Sequence, residues 1–200
     1  RYSRAEFAAV AIARIGTLLL GVELGVALGV TSWVLLFLYR SSNPHVAIVG
    51  EVPGTEHFRN IMRHQVETEP DLLSMRVDES LYFANARYLE DVVLAEAAAR
   101  PDLKHVILMC PAVNSIDMSA LESLAEINRR LKEIGVGFHL SEVKGPVMDA
   151  LARSHFLEQL TGRVFLSQNE AFAALAGDDG SGSGPVANDG ADRSAAQNGL

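Results

Sequence analysis

An α/β module built on a largely parallel or mixed sheet, entered through a membrane-type helical segment, is the fold class this sequence predicts. Two observations carry it. The 24 residues from Ile15 to Leu38 contain one charge, Glu23, and a helix of that length crosses a hydrocarbon core of ~30 Å. From His45 onward, short apolar runs alternate with amphipathic helical patterns, and strand-then-helix repetition is how chains build a sheet with helices on its faces.

Residues 5–40 admit two parses. One is a single span from about Ile15 to Leu38; the other is two helices, roughly 6–19 and 22–39, forming a hairpin around Gly21. Periodicity alone does not choose. Gly21, Gly25 and Gly29 recur every four residues, so they share a helix face that another helix can approach closely. Glu23 is costly facing lipid and is expected at a protein interior, an aqueous path or the membrane boundary.

Ser41 to Pro44 reads as a short polar linker, and His45 to Val52 as the first strand, punctuated by Pro53–Gly54. Leu72 to Val77 and Ser80 to Ala84 read as one long strand or two halves of a bent one. Asn85 is placed to cap a helix with Leu89, Val92, Val93 and Ala97 as its apolar stripe, ended by Pro101. His105 to Cys110 is a continuous apolar run after its histidine, as a central strand covered on both faces requires. A helix follows from about Ser119 to Ile134, stopped by Gly135. Then come a strand at Val136 to Leu140, a helix at Pro146 to Ser154, a short strand at Val164 to Leu166 and a helix at Asn169 to Leu175. Residues 177–200 have almost nothing to bury and are expected to be a disordered tail. The domain division is therefore 1–40, 45–176 and 177–200.

Charge excludes one class of partner. Residues 41–176 carry 12 basic and 19 acidic side chains, the wrong balance for neutralising phosphates of nucleic acid. Cys110 is the sole cysteine, so no internal disulfide forms, and its place in VILMC suggests a small buried hydrophobe. The chain opens with Arg1, and its apolar stretch lacks a small-residue cleavage pattern. It is expected to be a piece of a longer protein rather than to begin with a signal peptide.

Catalytic chemistry is not legible. No Cys or His pair has metal-ligand spacing, no phosphate-cradling loop precedes a Lys-Ser or Lys-Thr, and Gly135 and Gly137 stand at a helix-to-strand junction, the wrong one for a dinucleotide fingerprint. No metal, cofactor or catalytic residue is expected. The polar cluster Asn114, Ser115, Asp117 and Ser119 lies between the buried strand and the following helix, at the carboxyl end of a central strand, where open α/β sheets bind ligands. Asp117 or Ser119 can cap that helix, and Ser119 with Glu122 has capping-box spacing. These four are the regulatory or partner-binding candidates.

At these residues the chain resembles a known family. The run HVILMCPAVNSIDMSALESLAEINRRLKEIGVGFHLSEVKGPVMDAL is similar to the STAS domain, shared by bacterial anti-sigma-factor antagonists and the cytoplasmic parts of SulP anion transporters. SLYFANARYLEDVV and HVAIVGEVPGTEHFRNIMRH resemble the SulP version, and GTLLLGVELGVALGVTSWVLLFLYR resembles the last membrane portion of those transporters. The resemblance covers roughly residues 1–176 and favours the hairpin parse. It implies the carboxy-terminal end of a multi-pass secondary transporter of sulfate, bicarbonate or a dicarboxylate, proton- or sodium-coupled or exchanging. Its site would be the bacterial inner membrane, with the STAS module in the cytoplasm, and Arg40 after the last span agrees with that side. Implied partners are the transporter's other membrane segments, a second protomer in a homodimer, a cytosolic regulatory protein and the lipid bilayer. No substrate-binding residue is expected in this stretch. The alternative is a membrane-anchored STAS interaction module in a signalling partner switch. Against it, Met118 follows Asp117 where the antagonists carry a phosphorylatable serine.

Overall fold

The computed structural model describes residues 4–176; the tail expected over 177–200 lies outside the described residues. Helices α1 (Arg4–Leu20) and α2 (Val22–Ser41) pack along one another and break at Gly21. The hairpin is thus the parse the chain adopts. Gly21 has φ +89°, a left-handed turn conformation open to glycine at little cost. A Cβ built there would meet nothing within 4 Å, so Gly21 serves the turn and not the packing face expected of it. Gly25 and Gly29 do lie against α1. A side chain on Gly25 would run into Thr17, and a Cβ on Gly29 would come within 2.8 Å of the Ala13 methyl. The rest of α2 is uncovered: Val22–Tyr39 has a mean hydropathy of 1.8, and only 6% of that window is buried.

After the hairpin the chain forms a six-stranded sheet in the order β2-β1-β3-β4-β5-β6. Its strands are β1 (Val46–Glu51), β2 (Phe58–Asn60), β3 (Leu72–Val77), β4 (His105–Met109), β5 (Gly137–Ser141) and β6 (Val164–Phe165). β1 is antiparallel to both β2 and β3, and β3 through β6 are parallel. The short β2 was not legible in the sequence, because three residues carry no period. Residues 80–84, expected to be strand, form a single bridge between Leu81 and Ile116 and then a turn. Asn85 causes this. Its side chain accepts from the Tyr82 amide at 3.0 Å and donates to the Ser80 carbonyl at 2.9 Å, an alternative to strand pairing that short polar side chains offer. It therefore makes no side-chain cap to helix α3 (Ala86–Ala98), contrary to the expected role.

Alternation along β4 divides the core. Val106, Leu108 and Cys110 point to α3 and α4 (Met118–Glu133), where Leu89, Val93, Leu124, Ile127 and Leu131 meet Phe138 and Leu140 of β5. Ile107 and Met109 point to the other face, with Ala47, Phe58, Phe165 and Phe172. Helices α5 (Gly145–Arg153) and α6 (Phe156–Gln159) complete the first face, and α7 (Gln168–Leu175) covers the second. Burying each large apolar side chain contributes roughly 1.5–3 kcal/mol, so this two-faced sheet is where the module's stability resides. Cys110 is buried as expected, and desolvation pushes its thiol up to about 12.

Two polar arrangements pin the second face. Gln168 of α7 accepts from the Ser141 hydroxyl at 2.6 Å and donates to Ser74 at 2.9 Å, so three buried polar groups satisfy one another. On β5, His139 is 5% exposed. Its Nδ1 accepts from the Arg163 amide at 3.0 Å, and its Nε2 lies 3.2 Å from His105 Nδ1. The first bond requires a bare Nδ1, which places the proton on Nε2, donating to His105.

Burial, and then the charges of His105 and Arg163, push His139 down to about 3. The unfolded chain takes up this proton near pH 6.5, so the contribution is fully present above that pH and drains away as pH falls toward 3. The unfolding free energy of the detergent-solubilised chain, measured in urea, is expected to drop by about 1 kcal/mol from this group between pH 7 and 5.5. His139→Gln is expected to remove that part of the slope; an unchanged slope would contradict the neutral, buried imidazole.

Candidate functional site

The loop between β4 and α4 is stitched to the loop between β3 and α3. The Asn114 amide donates to Ser80 Oγ at 3.1 Å. The Leu81 amide donates to the Ser115 carbonyl at 3.1 Å, and the Asp117 amide to the Leu81 carbonyl at 3.2 Å. The Asp117 carboxylate closes the arrangement: Oδ1 accepts from the Ala120 amide at 2.9 Å, and Oδ2 from the Phe83 amide at 2.8 Å. One side chain thus caps α4 and holds the neighbouring loop.

This geometry replaces the expected capping box. Asp117 is the N-cap of α4, so the N3 position belongs to Ala120 and Ser119 is already inside the helix. Ser119 is exposed, as is Ser115, which enters the network through its carbonyl alone. Asn114 accepts from Lys144 Nζ at 2.6 Å, so the start of α5 is tied in as well. Of the four candidates, the structure brings Asn114 and Asp117 into a side-chain network and leaves Ser115 and Ser119 facing outward.

Sequence reading missed Ser80, Tyr82 and Phe83, whose roles arise only where the two loops meet. Tyr82 donates its hydroxyl to the Ser41 carbonyl at 3.3 Å, linking the cluster to the last residue of α2. Phe83 and Met118 flank Asp117 and are 68% and 69% exposed. Asn85, 0% exposed, was singled out for the wrong bond; a buried amide just before a helix closes a turn as readily as it caps.

Chemically the cluster holds backbone and presents surface. Both Asp117 oxygens are occupied by amides, and no group of three or more His, Cys, Asp or Glu among the described residues is arranged to hold a metal. What remains available is contact: two apolar side chains and two hydroxyls around a fixed helix start.

Asp117→Ala removes a cap and the acceptor of a second amide, and is expected to cost the module about 2 kcal/mol. Asp117→Asn, with one amide oxygen, is expected to lose less. Equal urea midpoints for wild type and Asp117→Ala would show that neither bond matters.

Comparison with known proteins places this geometry. The STAS domain model matches residues 63–171. "Probable sulfate transporter 4.2" of Arabidopsis thaliana is 30% identical over 169 residues, covering 79% of this chain and 25% of that protein. Sulfate transporter 1.3 of the same plant is 28% identical over 182 residues, covering 86% and 28%. Among solved structures, the murine Solute Carrier 26 family member A9 anion transporter in its inward-facing state superimposes with a TM-score of 0.76 at 19% identity. That overlap takes in 87% of this chain and 29% of that one, a likeness of fold. The chain thus spans about a quarter of the length of the curated relatives it matches. The SulP resemblance read from the sequence is met by these relatives. With one family model matching more than half of its residues on a sheet of this order, the chain belongs to the STAS domain family.

Proposed function

We propose that this chain is the carboxy-terminal part of a multi-pass anion transporter, α1 and α2 being its last membrane helices and the STAS module its cytoplasmic regulatory and assembly domain. One observation carries the reading: the likeness to an anion transporter extends over 87% of the chain, a share too large to leave out the hairpin. Physical support comes from α2, whose 20 residues give a helix of about 30 Å. Its uncovered apolar surface, and Arg14 exposed on α1, call for further membrane segments around them. Glu23 falls in the first turn of α2, at the end of the span away from the module.

The carried anion is sulfate, bicarbonate or a dicarboxylate, with sulfate favoured by the names of the relatives; coupling is to protons or sodium, or by exchange. Transport itself belongs to segments beyond this stretch, because a route needs satisfied backbone on all sides across the bilayer and one hairpin supplies two walls at most. The module works by contact with the rest of the transporter, with a second protomer of a homodimer, and with a cytosolic regulator. Phe83 and Met118, in the loops that Tyr82 ties to Ser41 at the end of α2, are the surface for it. The partner-switch alternative would need a phosphate acceptor after Asp117, where Met118 stands.

Uptake of labelled sulfate and bicarbonate into vesicles tests this with three proteins: the full-length transporter, the same protein ended after Arg40, and residues 1–200 alone. Uptake is expected from the first, reduced uptake or assembly from the second, and none from the third. Substrate uptake by residues 1–200 alone would overturn the proposal, and full activity, expression and dimerisation after the cut would leave the module without its role.

A further inference from the structure

The module is acidic as a whole, yet one edge of it is basic. Arg59 on β2 and Arg63 and His64 in the turn that leaves it are all exposed, and they border a concavity shared with His45, Arg76 and Asp78. Asp78 is the one carboxylate among the described residues lining it, and its charge is committed. Arg76 Nε donates to Oδ1 at 2.6 Å, and His45 Nδ1 lies 2.8 Å from Oδ2. Burial opposes ionisation of Asp78, but Arg76 and His45 hold its carboxyl below the ordinary value. Arg59 also borders Glu56 and Glu142 in the neighbouring hollow, whereas Arg63 and His64 line the first concavity and not that one.

The turn itself is fixed. Asn60 Oδ1 accepts from the Met62 amide at 2.8 Å, and the Asn60 carbonyl accepts from the amides of Arg63 and His64 at 3.0 and 3.2 Å. Met62 is left 85% exposed at the tip, an apolar side chain with arginines three residues before and one after it.

Position supplies the partner. His45 directly precedes β1 and is four residues beyond the end of α2, a stretch that reaches at most about 14 Å. The bond from Tyr82 to Ser41 holds the module against that helix end. The basic turn therefore lies at the end of the module where α2 leaves the bilayer, and its attraction to anionic headgroups acts once the two come within a Debye length of about 8 Å.

We infer that the turn from Arg59 to His64 is a lipid-contacting tip: Arg59, Arg63 and His64 engage the headgroup phosphates of an anionic bilayer surface, and Met62 enters the interfacial layer. Arginine suits phosphate because its planar fork donates two parallel hydrogen bonds. A methionine held out by a closed turn is costly in water and favourable at an interface. The inference rests on the reading of α1 and α2 as membrane helices.

The test uses the whole chain in lipid nanodiscs, either neutral phosphatidylcholine or the same lipid with a quarter replaced by phosphatidylglycerol. Met62→Cys carries a bimane probe; Cys110 is buried and does not compete for label. Quenching by acrylamide, which is neutral, reads exposure of the probe. Quenching is expected to fall about twofold or more in anionic discs relative to neutral ones, and to recover in high salt. Arg59→Glu with Arg63→Glu is expected to abolish the difference, and Arg63→Lys to keep most of it. A probe at Ile134→Cys, at the far end of α4, is expected to show none. Equal quenching at position 62 in both discs, or a difference that survives the double substitution, would overturn the inference. So would protection of the probe by free inorganic phosphate in neutral discs, which would mark an anion pocket instead. A chain that enters neither disc removes the membrane reading and this inference together; one that enters both without lipid dependence removes the inference alone.

Discussion

Parallel pairing from β3 to β6 puts the carboxyl ends of four strands, and the loops that follow them, at one end of the sheet. β1 runs antiparallel to β3, with Val46 opposite Val77, so the chain enters the module at that same end. A linker of a few residues joins α2 to β1. Every strand-to-helix loop is consequently turned toward α2, and Ile134 and the other helix ends point away. Which end of the module faces α2 follows from strand direction, before any side chain is considered.

Within that frame, Asp117 does for the loops what the strands do for the core. Its two oxygens take amides from two different segments, Ala120 in α4 and Phe83 before α3. Hydrogen bonds to an ionised acceptor are the stronger kind, and here they set the spacing between two exposed apolar side chains, Phe83 and Met118. In the antagonist-type STAS domain a serine follows this aspartate and takes a phosphate. Met118 offers no hydroxyl there, and on the proposed reading its exposed side chain serves contact instead.

Charge is divided along the same axis. On the proposed reading, an acidic module beside an anionic bilayer would be repelled as a whole. The Arg59–His64 turn and the Arg76–Asp78–His45 cluster put the exception beside the linker. The hairpin shows a matching asymmetry. Gly25 and Gly29 let α1 and α2 meet closely, while the remaining apolar surface of α2 is left uncovered by the described residues. Small residues are spent where the partner helix lies within the chain, and large ones face whatever else surrounds it.

The sequence by itself determined the elements whose period is strong. These are the apolar stretch of α2, the central strand β4 with both faces buried, and the α4 residues at helical spacing, of which Leu121, Leu124 and Leu131 are buried while Ile134, past the helix end, is exposed. It also marked Asn114, Ser115, Asp117 and Ser119 through their place after β4, of which Asn114 and Asp117 enter side-chain bonds between segments and Ser115 and Ser119 face outward. Tertiary structure decided what spacing does not encode. Two short segments, β2 and α6, have too few residues to show a period. Residues 80–84 look like a strand, but the Asn85 amide closes them into a turn. Gly21 looks like its fellow glycines in α2, but a positive φ gives it the hairpin turn. The His105–His139 pair, the Ser74–Ser141–Gln168 contact and the Phe83 bond to Asp117 join residues from 27 to 94 apart in the chain. Each of these bonds exists only because the sheet order brings the two segments together, and no local signal foretells which polar side chain will find a partner across that distance.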